Sequence, residues 1–391
     1  MSSRYKRTVL VLTAGAFFGT MVARLVISPV IPAVGGAFEV SKGVIGLALT
    51  GMWAMYALCQ FPSGVLGEQY GERRVILLAL GLTGIGSLLL AMSPSFPAFA
   101  VFALFLGMGA GLYFSAAASY LTGLFEDTGL ALGFHSVGAP TAGLLAPVAA
   151  TYVASQLGWR YALGLGAVSS LTVFVLVAWR VEPTPPENPS LSMRDRFDLR
   201  ELVSLLGRPG VAFTTVLASV GFFAWQSFAS FFPTFLIEHA GFSAGRASLI
   251  FGLIFGLSAP GLPALGKLSD AFGRDALLAT AFFAACLGYG IFLSQPATLP
   301  VVAVGTLALG VGTSWTGVIN SRFMDRFDAS ERGAGFGLVR TTFLLVSSTG
   351  SVVTGTLAGT HGWTAAYGLI LGMLGVAGVA LLANRAFGVG L

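Results

Sequence analysis

The polar residues of this chain are gathered into short stretches that separate long apolar runs. Twelve runs fall near Thr8–Val34, Val44–Leu66, Val75–Met92, Phe96–Leu121, Leu130–Val153, Tyr161–Trp179, Val211–Ile237, Ala247–Leu265, Ala276–Leu293, Pro300–Ile319, Ala334–Leu357 and Thr364–Leu382. Each is long enough for a helix across a hydrocarbon core about 30 Å thick, where a lone strand would leave its backbone groups unsatisfied. The pattern predicts an all-α membrane protein with twelve transmembrane helices. Composition agrees: 55% of the 391 residues are hydrophobic and 9% are charged, against about 25% charged in a soluble domain, which excludes a water-soluble fold of this size. The 53 glycines lie mostly inside apolar runs and the net charge is +5, so disorder and nucleic-acid binding are poor explanations. Cys59 and Cys286 sit within apolar runs and read as packing residues, with no metal site or disulfide framework expected. Arg4, Lys6 and Arg7 precede the first run, and no small-residue cleavage site comes before the next polar stretch. That run reads as a spanning helix and not as a removable signal.

Alternate loops differ in charge. With the amino terminus inside, 16 of the 21 Lys and Arg residues fall on the cytoplasmic side, Lys42, Arg160 and Arg246 fall outside, and Arg24 and Arg340 lie within spans. Short inner loops collect Lys and Arg, so both termini are expected on the cytoplasmic side of the plasma membrane. The stretch from Glu182 to Arg208, with Pro183, Pro185, Pro186 and Pro189, marks the natural boundary. Residues 1–180 are expected to form an N-terminal six-helix bundle, 181–210 a cytoplasmic linker and 211–391 a C-terminal six-helix bundle. Within the linker Met193, Phe197, Leu202 and Leu206 can share one face of a short helix on the inner membrane surface; a plain solvated linker fits as well.

A shift of 202 residues aligns the two halves. It pairs Gly64-Val65-Leu66-Gly67-Glu68-Gln69-Tyr70-Gly71 with Gly266-Lys267-Leu268-Ser269-Asp270-Ala271-Phe272-Gly273, and also Ser28 with Ser230, Ser41 with Ser243, Phe125 with Phe327 and Gly133-Phe134 with Gly335-Phe336. One shift serving several separate places argues for a duplicated six-helix unit, with a solute site near the midplane. In the repeated loop the glycines permit a tight turn and close helix approach, the carboxylate can cap a helix N-terminus, and the arginines stay at the inner surface.

The loop sequences Gly64-x-Leu66-x-Glu68-x-x-Gly71-x-Arg73-Arg74 and Gly266-x-Leu268-x-Asp270-x-x-Gly273-Arg274 resemble the signature of the major facilitator superfamily, and the resemblance covers nearly the whole chain. Gly158-Trp159-Arg160 is similar to another recurrent feature of that family. The first loop departs from the signature in having Glu68 for Asp and Glu72 before the arginines. The resemblance implies two pseudo-symmetric six-helix bundles working by alternating access, with Glu68, Arg73, Arg74, Asp270 and Arg274 as gating residues at the cytoplasmic ends. The fourth span lacks the Arg that many proton symporters carry. In the fifth, Gly133 to Gly143 is half a match to the antiporter signature, because Ala139 interrupts the Gly-Pro pair, and Pro140 is expected to kink the span. Gly107-x-Gly109-x-Gly111 imitates a nucleotide fingerprint, but it lies inside an apolar span with no preceding strand.

Two arginines fall inside spans, where a charge costs roughly 2.5–3.5 kcal/mol on insertion scales and usually marks a pathway. Arg24 is near the middle of the first span and Arg340 a little to the cytoplasmic side in the eleventh, while all 16 carboxylates sit in loops or at span ends. The missing negative charge then becomes the cargo, since guanidinium binds carboxylate or phosphate in a bidentate fork. Arg24-x-x-x-Ser28-x-x-x-Pro32 is similar to the pattern of family members that carry organic anions. Gln226 stands at the position equivalent to Arg24, and with Tyr56, Tyr113, Trp315 and Asn320 it can line a small-solute site.

The function expected is therefore secondary active or facilitative transport of a small anion, an organic carboxylate above others, by a monomer in the bilayer that needs no cofactor. His135 is the intramembrane group that titrates near neutral pH, so it is the candidate for proton coupling. The other mechanism is exchange, in which the empty carrier resists reorienting with two bare cations. An enzyme is not expected: His239 and His361 lie at outer edges, and no metal-binding or Ser–His set shares one depth. A ligand sensor with a transporter fold is a minor alternative. Efflux of lipophilic drugs is the serious competitor, supported by the partial fifth-span signature and 32 phenylalanines.

Overall fold

The polar breaks in the apolar pattern become the turns between helices. The computed structural model describes residues 3–190, 199–295, 298–328 and 334–391. Among them lie twelve helical segments long and apolar enough to cross a membrane, at the places the apolar runs mark. The first span is α1 (Ser3–Leu25), a 3-10 turn (Ser28–Val30) and α2 (Ile31–Phe38); α3 (Lys42–Tyr70), α4 (Glu72–Ala91) and α5 (Phe96–Leu124) are unbroken. α6 (Thr128–Ser136) and α7 (Gly138–Leu157) share the fifth span, and α8 (Trp159–Arg180) is the sixth. A short α9 (Leu199–Leu206) precedes α10 (Pro209–Glu238), α11 (Ala244–Phe272) and α12 (Arg274–Leu293). The tenth span divides into α13 (Leu299–Gly312) and α14 (Thr316–Met324), the eleventh into α15 (Ala334–Ser348) and α16 (Gly350–Thr360), and α17 (Gly362–Phe387) is the last.

The duplication is visible in the element bounds. α3 and α11 are each 29 residues long, α4 and α12 are each 20, and both pairs stand at the displacement of 202 in the numbering. The caps repeat as well: Ser41 Oγ accepts from the Val44 N–H and Ser243 Oγ from the Arg246 N–H, both at 3.4 Å. Between the paired helices Gly71 has φ +89° and Gly273 φ +92°, a region that favours glycine. A Cβ on Gly71 would also overlap the Thr184 carbonyl oxygen. These two glycines carry the turn. Gly64 and Gly266 have open space around them, so the close helix approach expected of the motif's first glycine does not occur there.

The chain packs as two compact units, Met1–Val40 with Ala48–Asp198, and Ser41–Leu47 with Leu199–Leu391. In the first, α4 packs on α5 and α8, and α1 on α7 and α8, around a core that includes Val9, Ile76, Leu80, Tyr113, Ala117 and Leu121. The glycines of α5 serve helix packing: a Cβ on Gly107 or Gly111 would overlap the Met52 or Tyr56 carbonyl oxygen of α3, and one on Gly109 would overlap the Thr83 nitrogen of α4. In the second unit α12 packs on α13 and α17, and α10 on α15. Its core is aromatic: Phe232 lies 5.5 Å from Phe292 and 6.2 Å from Tyr367, ring to ring.

The fifth span breaks at Val137 instead of kinking at Pro140. Proline has no N–H to give the Ser136 carbonyl, and α6 ends at that residue. In the linker Met193 and Phe197 lie outside the described residues, whereas Leu202 and Leu206 belong to α9, which packs on α10 and α15.

Candidate functional site

Arg24 lies in the last turn of α1. The helix stops there because Pro29 and Pro32 supply no N–H groups downstream, and the Arg24 carbonyl accepts a 3.4 Å bond from Ile27. A cation at this position faces the negative end of the helix dipole. The side chain is 4% exposed. Its Nε donates to the Thr20 carbonyl at 3.1 Å and one Nη to Met21 Sδ at 2.8 Å. The guanidinium lies 4.5 Å from the Tyr56 ring and 5.4 Å from the Trp53 ring. No carboxylate lies within ion-pair distance of it among the described residues. Each π face contributes about 0.5–2 kcal/mol, while burying an ion costs several kcal/mol. The helix end and the rings therefore orient the cation without neutralising it.

One helical turn beyond Tyr56 on α3, Gln60 is 3% exposed, and neither its Oε1 nor its Nε2 has a partner. An unsatisfied buried polar group costs about 1–3 kcal/mol, so this amide is suited to a ligand or water. Sequence reasoning passed over it; the signal was a lone amide in an apolar run, spaced to share a face with Tyr56. Gln60→Leu should leave thermal stability unchanged or raise it, while weakening substrate binding severalfold. A melting experiment with and without substrate checks both, and destabilisation of the apo protein would make Gln60 structural.

Tyr113, expected to line the site, is fully buried and committed elsewhere. Its hydroxyl donates to the Thr13 carbonyl at 2.5 Å and lies 3.2 Å from His135 Nε2. With the one phenolic proton given to Thr13, the oxygen accepts from Nε2–H, and Nδ1 is left as the bare nitrogen. Nδ1 is buried without a partner. The imidazole stacks on Phe17 at 5.0 Å with 5° between planes. His135 and Tyr113 thus form one hydrogen-bonded cluster among α1, α5 and α6.

In the second unit Gln226 is 1% exposed with Oε1 unpartnered. Trp315, between α13 and α14, is buried over Gly221 and makes edge contacts with Phe222 at 4.8 Å and Phe282 at 5.8 Å. Asn320 on α14 and Arg340, the seventh residue of α15, are half-buried. Of the gating candidates, Arg274 bonds Asp270 and reaches Asp325 at 3.1 Å. Arg73 donates to the Ala178 carbonyl at 2.7 Å, and Arg74 is exposed. Glu68 is half-buried, and its carbonyl accepts from the Asn188 N–H at 3.0 Å. Arg322, one of the 16 Lys and Arg residues expected on the cytoplasmic side, lies within α14, is 3% exposed and pairs with Asp275 at 2.8 Å.

The family model described as Major Facilitator Superfamily matches residues 13–323 and 247–388. Relatives include the multidrug resistance protein MdtG of Escherichia coli (strain UMN026), 28% identical over 71% of this chain and 69% of that one. MdtG of Citrobacter koseri is 27% identical over 72% and 71%. Among solved structures, the nucleoside transporter NupG superposes with TM-score 0.77 at 14% identity, over 97% of this chain and 98% of that one. The human organic anion transporter MFSD10 gives 0.71 at 16% identity, over 97% and 100%.

Proposed function

The chain belongs to the major facilitator superfamily, a family of membrane transporters, and from that premise we propose that its cargo is a small organic anion, carried by alternating access. The observation that carries this reading is the buried Arg24 guanidinium, held against Tyr56 and Trp53 with no carboxylate partner among the described residues. A carboxylate or phosphonate headgroup supplies the missing charge through a forked hydrogen bond. Gln60 offers a further donor, and Arg340, Gln226, Trp315 and Asn320 are the candidates from the second unit. The termini and the loops bearing Arg73 and Arg274 belong, in this proposal, on the cytoplasmic side of the plasma membrane.

A second reading is export of lipophilic drugs, favoured by the MdtG relatives and by the aromatic cluster of Phe222, Trp315, Phe282 and Phe343. The two readings meet in an amphipathic anion, with its charge on Arg24 and its apolar body against the rings of Tyr56 and Trp53. Competition on the purified protein separates them. If benzoate and related carboxylates stabilise it saturably, and Arg24→Gln removes the effect, the anion reading stands. Saturable stabilisation by lipophilic cations alone, undiminished in Arg24→Gln, would replace it by the second.

For coupling we propose exchange, because the empty carrier would have to reorient with an uncompensated buried cation. In proteoliposomes uptake should then require anion inside. Uptake driven by an inward proton gradient with no internal anion, lost in His135→Gln, would instead assign symport with His135 as the proton carrier.

A further inference from the structure

Lys42, at the end of α3 opposite to the Gly71 turn, meets a socket in the second unit. Its Nζ lies 2.9 Å from Glu238 Oε2 and 5.8 Å from the centre of the Trp363 ring, and the Trp363 indole N–H donates to the same Glu238 oxygen at 3.0 Å. Trp363 is itself fixed in the aromatic core, 5.8 Å from Phe235 and 6.1 Å from Tyr367. Beside the pair, α3 and α16 meet main chain to main chain. A Cβ on Gly46 would overlap the Ser351 carbonyl oxygen, one on Gly355 would overlap the Lys42 carbonyl oxygen, and one on Gly43 would lie 3.5 Å from the Thr356 Cβ. α3 is divided accordingly: Ser41–Leu47 packs with the second unit, whereas from Ala48 onward it belongs to the first. The gating residues implied by the family resemblance, Glu68, Arg73, Arg74, Asp270 and Arg274, lie at or just beyond the other ends of α3 and α11.

From this arrangement we propose that the first two turns of α3 are a releasable latch, held by Lys42, Glu238 and Trp363, which closes the transport path at the end away from the Arg73 and Arg274 loops. The inference rests on alternating access and is independent of the cargo. Two features distinguish a latch from a permanent tether. Lys42 and Glu238 keep 30% and 34% of their side-chain surface in water, so both charges are solvated when they separate and neither is stranded. The buried pair of Arg322 with Asp275, at 3% and 14%, has no such exit. In addition, the hydroxyls of Ser351 and Thr354 on α16 are satisfied by Ser230 and Ser227 of α10, so the departure of α3 leaves neither without a partner. The ion pair, the indole face and the close glycine contact then hold α3 in place, and one substitution removes each.

The test is the labelling rate of Ser351→Cys by a membrane-impermeant maleimide in intact cells, with Cys59 and Cys286 replaced by Ala. Ser351 is fully buried, so its labelling reports the fraction of time for which the latch is open. Labelling should be slow in that background and about threefold faster with Lys42→Ala or Glu238→Gln, the scale of a half-exposed ion pair. With Gly46→Ala it should be about tenfold faster or more, because the added methyl meets a backbone oxygen that cannot swing aside. Ser170→Cys, buried in the first unit, should stay unlabelled throughout, so that faster labelling reads the parting of α3 and not unfolding. A cross-link gives the complementary result, since the Gly43 to Thr356 separation suits a disulfide, which needs about 3.5–4.5 Å between Cβ atoms. Oxidation of Gly43→Cys with Thr356→Cys should stop benzoate exchange in proteoliposomes until reductant is added. No acceleration in any of the three variants, equal acceleration at Ser170→Cys, or exchange that continues at full rate through the cross-link would overturn the proposal. Absence of benzoate exchange before oxidation would count against the anion cargo, and the labelling rates would still decide the latch.

Discussion

Replacing Arg24 by Gln should abolish saturable binding and transport of small organic carboxylates without weakening the fold. Removing one partner of a buried, hydrogen-bonded charge pair costs about 2–5 kcal/mol in binding, roughly thirtyfold or more in affinity. The effect on the apo protein has the opposite sign. Glutamine ends the burial of a cation that meets no carboxylate among the described residues, at the sacrifice of bonds to the Thr20 carbonyl and Met21 Sδ and two ring contacts. The melting temperature of ligand-free Arg24→Gln should therefore equal or exceed that of the wild type. Arg24→Lys keeps the charge but loses the planar fork, and its affinity should fall between the two. If Arg24 served chiefly to cap α1, the order would invert: the apo protein would melt several degrees lower and the remaining folded protein would bind anions normally.

Gly107→Val has the largest effect expected on folding. The new side chain would enter the Met52 carbonyl of α3, a backbone atom that cannot swing aside, and overpacking of this kind costs about 1–3 kcal/mol or more. Purified yield and the monodisperse fraction should drop sharply. Gly133→Ala is the control, since Gly133 has open space in α6, and an Ala there should be neutral or gain up to about 1 kcal/mol. Equal tolerance of both changes would show that α3 and α5 do not touch at the Gly107 level.

The sequence made the helices legible because lipid leaves a chain one way to hide its backbone, so twelve apolar runs sufficed to place twelve spans. It made the repeat legible because Ser41 and Ser243, and Gly71 and Gly273, meet the same local demand for a cap or a positive φ in both halves. The breaks within spans were less visible. Pro140 accounts for the end of α6 at Ser136, four residues before it, but the break at Thr313–Trp315 carries no proline at all. Arg24 was found because a charge in an apolar run is conspicuous. Gln60 was passed over because a neutral amide is not, although burial leaves both its polar atoms without partners. The pairing of Tyr113 with His135 joins residues 22 apart on different helices, a contact that no spacing rule within one helix anticipates. The burial of Arg322 was not legible because the apolar run ends where polarity begins, whereas α14 continues to Met324 and carries this arginine into a buried pair with Asp275.

The most direct test is a structure of the protein with bound 4-bromobenzoate, located by the anomalous signal of bromine. The account predicts the carboxylate within hydrogen-bonding distance of the Arg24 guanidinium, with the ring toward Tyr56 and Trp53. Bromine found more than one ligand length from Arg24, with that guanidinium still bonded only to Thr20 and Met21, would contradict it.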